Sequence, residues 1–146
     1  MPFRELFRLS LALAALPLMS MMSMSCTAGP TSASSSNASD EARLNELWAT
    51  GQSSLAQLST QWAEEGTRPI GGDVFSVSPS RFSFVAHDEP LSLRGEPVGG
   101  YFDAATQSVH FYRPMMDGAI QHETGHAVLY ALADPRWRCV FHRDCK

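Results

Sequence analysis

Apolar residues in the middle of the chain recur at the spacing of an amphipathic helix. The recurring residues are Leu44, Leu47, Trp48, Leu55, Leu58 and Trp62. Ser39 or Asp40 can cap the start of this helix, and Gly66 ends it. Gly51 lies inside the pattern and lowers helix propensity, so the segment forms either one bent helix or two short ones. The Leu and Trp stripe predicts a helix face that packs against a hydrophobic core.

Shorter apolar runs, separated by Gly and Pro, follow this helix. Residues 74–77 and 81–86 predict strands joined by loops. Tyr101 and Phe102 on one side, and residues 109–112 on the other, flank a polar segment and predict a hairpin. The second arm of this hairpin comes directly before the last helical pattern of the chain.

A second helix is predicted from Asp117 or Gly118 to Ala133, and Asp117 can cap its start. The helix cannot continue through Pro135, which also disfavours helical geometry at Asp134. An amino-terminal helix, short strands with a hairpin, and a closing helix together predict a small α+β domain.

The amino terminus has a different composition, which predicts three parts for the chain. Residues 1–26 are typical of an export signal, with Arg4 and Arg8 before an apolar stretch that is too short to span a bilayer. Residues 27–40 are rich in Ser and predict a flexible tether, because they can bury little apolar surface. The folded domain is therefore expected over residues 41–146.

A signal segment followed by Cys26 and a Ser-rich tether resembles the start of a bacterial lipoprotein. The resemblance implies that Cys26 is lipidated and attaches the protein to a membrane of the cell envelope. The preceding residues, Ser23, Met24 and Ser25, depart from the lipoprotein pattern, which favours Leu at the first of these positions. Ordinary cleavage nearby, which gives a secreted or periplasmic protein, is the alternative. In both cases the protein is expected to be exported.

Cysteine number and net charge narrow the prediction further. The chain has three cysteines, and lipidation of Cys26 would leave Cys139 and Cys145. Their separation, 145 − 139 = 6 residues, allows a disulfide in an oxidising compartment, and two unpaired thiols are the alternative. The formal net charge is −4 and no run of Lys or Arg occurs, so we expect no nucleic-acid partner.

His122, Glu123 and His126 form the pattern HExxH within the predicted second helix. Positions i and i+4 lie on one face of a helix, so the imidazoles of His122 and His126 can bind the same zinc ion. Glu123 lies about 100° around the helix axis from His122 and can take a proton from a water beside the ion. The pattern predicts zinc-dependent hydrolysis. The alternative is a helix whose histidines face solvent without a metal.

The sequence HETGHA, which begins at His122, resembles the active-site helix of zincin metallopeptidases. The resemblance implies that His122 and His126 are zinc ligands, that Glu123 is the catalytic base, and that the hairpin supplies an edge strand for an extended substrate. No Glu follows Glu123, and Leu129 and Leu132 stand where a metzincin has Gly and His. The resemblance therefore leaves the third ligand open.

Five residues are candidates for the third zinc ligand: His142, Asp134, Asp144, His110 and His87. His142 is preferred, because it follows the second motif histidine by 142 − 126 = 16 residues, a spacing similar to that of SprT-like proteases. Asp134 follows by 134 − 126 = 8 residues, which resembles the aspartate ligand of aspzincins, but it can equally cap the turn into Pro135. A site without a third ligand also remains open.

The expected function is that of a zinc metallopeptidase that acts on a peptide or protein substrate. One alternative is an inactive or incomplete zincin that serves as a binding module of the cell envelope. The other is a small exported interaction protein without a catalytic metal. No oxyanion stabiliser can be assigned among the candidates Tyr112, Tyr130, Arg113 and Arg143.

Overall fold

The described chain begins with a long helix, and five short strands separate it in sequence from a second, shorter helix. The computed structural model describes residues 34–143 and Cys145, with side chains from Ala38 onward. The elements are α1 (Ser34–Glu64), β1 (Ser83–His87), β2 (Leu91–Leu93), β3 (Glu96–Val98), β4 (Gly100–Asp103), β5 (Ser108–Tyr112) and α2 (Met116–Ala131). This mixture confirms the predicted α+β class. The predicted signal segment, Cys26 and residues 27–33 of the predicted tether lie outside the described residues.

The first helix, α1, is one continuous helix of 31 residues. It begins at Ser34, so the predicted start at Ser39 or Asp40 was wrong, and residues 34–40 of the predicted tether are helical. The chain has neither Gly nor Pro between Ser34 and Gly51, and each added residue extends an existing helix by one backbone hydrogen bond. Apolar periodicity detects only the packed part of such a helix.

Among the described residues, no helix combines the length and hydrophobicity needed to cross a membrane.

Gly51 lies where α1 crosses α2. A Cβ atom built on Gly51 would lie 2.6 Å from Thr124 Cβ and 2.8 Å from the carbonyl oxygen of Gln121, both too close for real contacts. Gly51 is buried, and Thr124 is 0% exposed. The residue that weakens the helical pattern of α1 is therefore the residue that lets the two backbones approach.

The second helix, α2, is buried around most of its circumference. It contacts α1 as well as β4 and β5, and residues 123–129 are all buried. Seven consecutive buried residues cover every face of a helix, so this part of α2 lies in the interior of the protein. The part of α2 that carries the HExxH pattern is thus held from more than one direction.

Strands β1, β5 and β4 form a mixed sheet, with β5 in the centre. β1 occupies most of the predicted run 81–86 and pairs parallel to β5, with Ser83 opposite Ser108. β4 and β5 are antiparallel, with Gly100 opposite Phe111, which confirms the predicted hairpin. β2 and β3 form a separate two-stranded sheet.

Residues 74–77, predicted as a strand, instead include a short 3-10 helix that begins at Val74. Trp48 Nε1 of α1 donates a hydrogen bond to the Val77 carbonyl at 3.1 Å. Gln52 Nε2 donates to the carbonyls of Val74 and Val77 at 2.6 and 2.9 Å. The strand prediction was wrong because side chains of α1 satisfy the carbonyls that a strand would offer to a neighbouring strand.

The start of α2 differs from the expected cap. The helix spans Met116–Ala131, close to the predicted bounds, but Asp117 lies inside its first turn. The Asp117 carboxylate pairs with Arg43 of α1 at 2.5 Å instead of capping the helix. The cap prediction was wrong because a 3-10 helix, Arg113–Met115, runs directly into α2.

A Schellman motif ends α2. The Ala133 N–H donates to the Tyr130 carbonyl at 3.0 Å, and the Asp134 N–H donates to the Leu129 carbonyl at 2.9 Å. Ala133 adopts the left-handed conformation that this motif requires, with φ of 54°. The motif turns the chain back, so that the 3-10 helix Pro135–Arg138 packs against α2.

Replacing Gly51 by Ala should destabilise the protein by about 2 kcal/mol, because the added methyl group would overlap Thr124 and the backbone of α2. Helix propensity alone predicts the opposite sign, a gain of about 1 kcal/mol. Gly118→Ala is the matched control, since nothing lies within 4 Å of a Cβ built there. Urea denaturation followed by circular dichroism measures both variants. A Gly51→Ala protein as stable as its parent would contradict the close crossing.

Candidate metal centre and its cleft

Three histidines converge at α2. His122 and His126 project from the helix, and His142 comes from the loop that follows it. One ring nitrogen from each lies within 4.8 Å of the other two, and the Nε2 atoms of His122 and His126 are 3.2 Å apart. The ring centroids are separated by 5.0, 5.2 and 5.4 Å. The structure thus brings together both motif histidines and the preferred third candidate.

A backbone carbonyl sets the orientation of His126. The carbonyl of Trp137 can only accept a hydrogen bond, so the ring nitrogen Nδ1 of His126 donates to it. In the neutral ring this leaves Nε2 without a proton, and Nε2 is the atom that faces His122. Trp137 lies on the 3-10 helix that the Schellman motif turns back toward α2.

His142 lies in a loop that a disulfide between Cys139 and Cys145 closes. Its N–H donates to the Cys139 carbonyl at 2.8 Å, and the Cys145 N–H donates to its carbonyl at 3.2 Å. Val140, which is 0% exposed, anchors the same loop in the core. Covalent closure, hydrogen bonds and this buried side chain hold the backbone of His142 next to α2.

Phe141, the residue before His142, packs against α2 at Gly125. A Cβ atom on Gly125 would overlap the Phe141 ring, whose centroid lies 5.6 Å from that of His122. Phe141 also adopts a left-handed backbone conformation, with φ of 66°. The glycine inside the HExxH pattern therefore makes room for the loop that carries the third histidine.

Burial lowers the pKa values of the two motif histidines, His122 and His126. The pKa of His122 falls to about 4, chiefly through burial and then through the neighbouring His126 and His142. The pKa of His126 is also lowered, mainly by burial, although its hydrogen bond to the Trp137 carbonyl acts in the opposite direction. A neutral imidazole is the form that binds a metal ion, so protons compete only weakly with a metal at these two rings.

The Glu123 carboxylate is buried beside β4. Glu123 is 6% exposed, and a Cβ built on Gly100 of β4 would lie 3.4 Å from its Cγ. Burial raises the pKa of Glu123 to about 7, and a hydrogen bond from the backbone N–H of Phe102 acts in the opposite direction. A carboxyl group that titrates near neutrality can both accept and return a proton.

The donor set fits a zinc ion. Two imidazole nitrogens bound tetrahedrally to zinc lie roughly 3.3 Å apart. The 3.2 Å between the Nε2 atoms of His122 and His126 agrees with that separation. Three protein ligands leave a fourth position for water, as in catalytic zinc sites. His126 is buried and His142 is exposed, so the cluster opens to solvent on the side of His142.

Asp134, the alternative third ligand, is engaged elsewhere. Its carboxylate accepts hydrogen bonds from the backbone N–H and the guanidinium of Arg136 at 2.5 to 3.0 Å. Arg136 holds the pKa of Asp134 below its usual value, chiefly through the side-chain hydrogen bond. The guanidinium carbon of Arg136 also lies 4.2 Å from the centre of the Trp62 ring. Asp134 thus anchors the 3-10 helix and does not join the histidine cluster. Asp144 lies outside the described residues.

His87 and His110, the remaining candidates, pair with each other on β1 and β5. His87 Nε2 lies 3.0 Å from His110 Nδ1, and Ser108 Oγ lies 2.9 Å from His110 Nε2. The ring of Tyr101 stacks on His110 with centroids 4.5 Å apart. Neither histidine belongs to the cluster on α2.

A cleft of about 440 Å³ opens over Glu123 and the three histidines. Its other walls are formed by Leu93, Arg94, Tyr101, Phe102, Trp137 and Arg138. Sequence reasoning did not single out Arg94, Trp137 or Arg138, because isolated loop residues carry neither periodicity nor a motif. For Trp137 and Arg138, the only indication in the sequence was that they lie between His126 and His142.

The residues considered as oxyanion stabilisers do not line this cleft in the described part of the chain. Arg113 pairs with Asp88 at 2.7 Å, and Tyr130 packs in a cluster of aromatic rings. Tyr112 is half-buried on β5, and Arg143 is exposed. We therefore assign none of these four residues to the site.

Comparison with known proteins gives no relative for this chain. No family model, curated protein sequence or solved structure matches it. The resemblance of the α2 motif to zincins stays a prediction, and any functional assignment depends on the residues and geometry of the site itself.

The raised pKa of Glu123 predicts how stability changes with pH in the metal-free protein. Below about pH 4.5 the carboxyl group is protonated in the folded and unfolded states, whereas above about pH 7 the folded protein contains a buried charge. Folding stability is therefore lost as the pH rises from about 4.5 to about 7, and it changes little above pH 7. The unfolding free energy of Glu123→Gln minus that of the parent should increase by about 3 kcal/mol between pH 4.5 and pH 8.

Urea denaturation in the presence of a chelator measures this difference at each pH. Glu64→Gln is the matched control, because the Glu64 side chain is exposed and loses little hydration on folding. If the difference for Glu123→Gln changes with pH no more than that of this control, the Glu123 carboxylate is hydrated in the folded protein.

Proposed function

We propose that the protein is a zinc-dependent hydrolase of the HExxH type and that it cleaves peptide bonds. One observation carries the proposal: the buried carboxyl group of Glu123, with a pKa of about 7, lies on the same helix as two imidazoles of a converging group of three. Burying ionisable groups is unfavourable unless they are paired or bind a metal. Groups with strongly shifted pKa values that share a cleft are typical of catalytic sites.

His122, His126 and His142 would hold the ion through one ring nitrogen each. A bound zinc ion supplies a Lewis acid that acidifies water and polarises a carbonyl group. The hydrogen bond from His126 to the Trp137 carbonyl keeps the metal-facing nitrogen unprotonated. The disulfide-closed loop limits the movement of His142.

Glu123 acts as the general base. Its carboxylate accepts a proton from the attacking water and then delivers this proton to the nitrogen of the leaving amine. With a pKa of about 7, the group gains and loses a proton at similar cost near neutral pH. The backbone N–H of Phe102 donates to the carboxylate and restrains its orientation.

The free edge of β4 supports a peptide as the substrate. No strand pairs with this edge in the described part of the chain, and Tyr101 and Phe102 of β4 line the cleft. The Tyr112 N–H donates to the Gly99 carbonyl at 2.8 Å, so by alternation the polar backbone groups of Gly100 and Phe102 point away from β5. The Phe102 N–H already donates to Glu123, which leaves the N–H and carbonyl of Gly100 and the carbonyl of Phe102. An extended peptide can pair with these remaining groups by β-augmentation, which brings its backbone beside Glu123.

The first test is the zinc content of the full-length protein after loading with excess zinc and removal of unbound metal. The parent should retain about one zinc ion per chain, and His122→Ala and His126→Ala should lose it. His142→Ala should weaken zinc binding by about 100-fold. His87→Ala is the matched control and should retain zinc, because its imidazole pairs with His110 outside the cluster.

Glu123→Gln separates metal binding from catalysis. This variant should retain zinc and should lower kcat for peptide hydrolysis by about 1000-fold, because the amide cannot accept the proton of the water. A parent protein that takes up no zinc from excess metal would refute the proposal. Undiminished hydrolysis by Glu123→Gln would remove Glu123 from the mechanism.

A further inference from the structure

Two arginines stand in the walls of the cleft on different elements. Arg94 belongs to the turn between β2 and β3, and Arg138 ends the 3-10 helix that supports His126. Within residues 38–143, no acidic side chain pairs with either guanidinium. Both cations therefore face the cleft region without a counter-charge from the described part of the protein.

Arg138 is held in place by an aromatic ring. Its guanidinium carbon lies 5.1 Å from the centre of the Trp137 ring, and the carbonyl of Trp137 is the group that orients His126. Stacking on an aromatic face restrains a guanidinium and leaves the N–H donors at its edge free. Arg138 is thus positioned close to the metal ligands with its donors available to a bound molecule.

Arg94 occupies a backbone conformation that arginine rarely adopts. The hairpin turn consists of Arg94 and Gly95, with φ of 54° and 86°. A two-residue turn with positive φ at both positions favours Asn, Asp or Gly at the first, and another residue there costs about 1 kcal/mol. The hairpin therefore carries a long cation over the cleft at a position where a small residue would give a more stable turn.

The charge of the cleft contrasts with the charge of the protein. The whole chain has a formal net charge of −4, whereas Glu123 is the only acidic residue among the described residues that line the cleft. A bound zinc ion would add positive charge, because all three of its ligands are neutral imidazoles. The cleft concentrates the electric field of these cations, and this positive potential attracts anionic groups.

We propose that the preferred substrates carry a carboxylate next to the scissile peptide bond and that Arg94 and Arg138 bind it. This inference builds on the proposed hydrolase and specifies the chemical class of its substrate. The carboxylate can belong to an acidic side chain or to the free carboxyl terminus of the peptide. Arginine forms directed, charge-assisted hydrogen bonds to either group.

Three peptides of otherwise identical sequence distinguish these sources. The first has an internal Glu and blocked termini, the second has Gln instead and a free carboxyl terminus, and the third has Gln and blocked termini. Binding to zinc-loaded Glu123→Gln protein is measured by fluorescence anisotropy, and cleavage is measured with the parent. One of the anionic peptides should bind about tenfold more tightly than the neutral one at low salt, and high salt should reduce this preference.

Arginine variants test the assignment. Arg94→Gln and Arg138→Gln should each reduce the preference for the anionic peptide by about threefold, and charge reversal at both positions should favour the neutral peptide. Arg81→Gln is the matched control, because it removes the same charge from an exposed residue outside the cleft. The control should leave the preference unchanged.

The outcomes separate this inference from the proposed function. Equal binding and equal cleavage of all three peptides would overturn the carboxylate preference and leave the hydrolase intact. A preference that Arg81→Gln reduces as much as the cleft variants would also overturn it. An arginine-dependent binding preference without any cleavage would support the carboxylate site and count against the hydrolase.

Discussion

The close crossing of α1 and α2 at Gly51 is the contact on which the position of the site depends. With the backbone of α1 against Thr124, α2 cannot rotate without forcing a larger side chain into the crossing. Another part of its surface meets β4 and β5, so the helix is fixed from two directions. These contacts fix the orientation of α2 about its own axis. In this orientation His122, Glu123 and His126 face the cleft beside β4.

The helices and the motif were predictable because their signals are local. Helical periodicity located α1 and α2, and the spacing of His122 and His126 is by itself enough to place two imidazoles on one helix face. The 3-10 helix at Val74 was not predictable, because Trp48 and Gln52, which satisfy its carbonyls, lie more than twenty residues upstream. Local sequence gives no information about such partners.

The rest of the site follows from tertiary contacts. Sequence could rank His142 and Asp134 as third ligands, but only the Schellman motif and the loop after it determine which of them meets the helix. Asp134 follows the end of α2, and Arg136 engages both oxygens of its carboxylate. The burial that moves the pKa of Glu123 toward neutrality likewise depends on β4, which has no signature in the motif itself.

The disulfide between Cys139 and Cys145 determines how His142 is supplied to the other two histidines. It closes a loop with a sequence separation of 6, so the imidazole is held at a high effective concentration relative to the helix. With the bond opened, buried Val140 and the contact of Phe141 with Gly125 would still keep the loop near α2. The effective concentration of His142 would then fall without reaching that of a free imidazole, so under the proposed function a reducing environment would weaken metal binding without abolishing it.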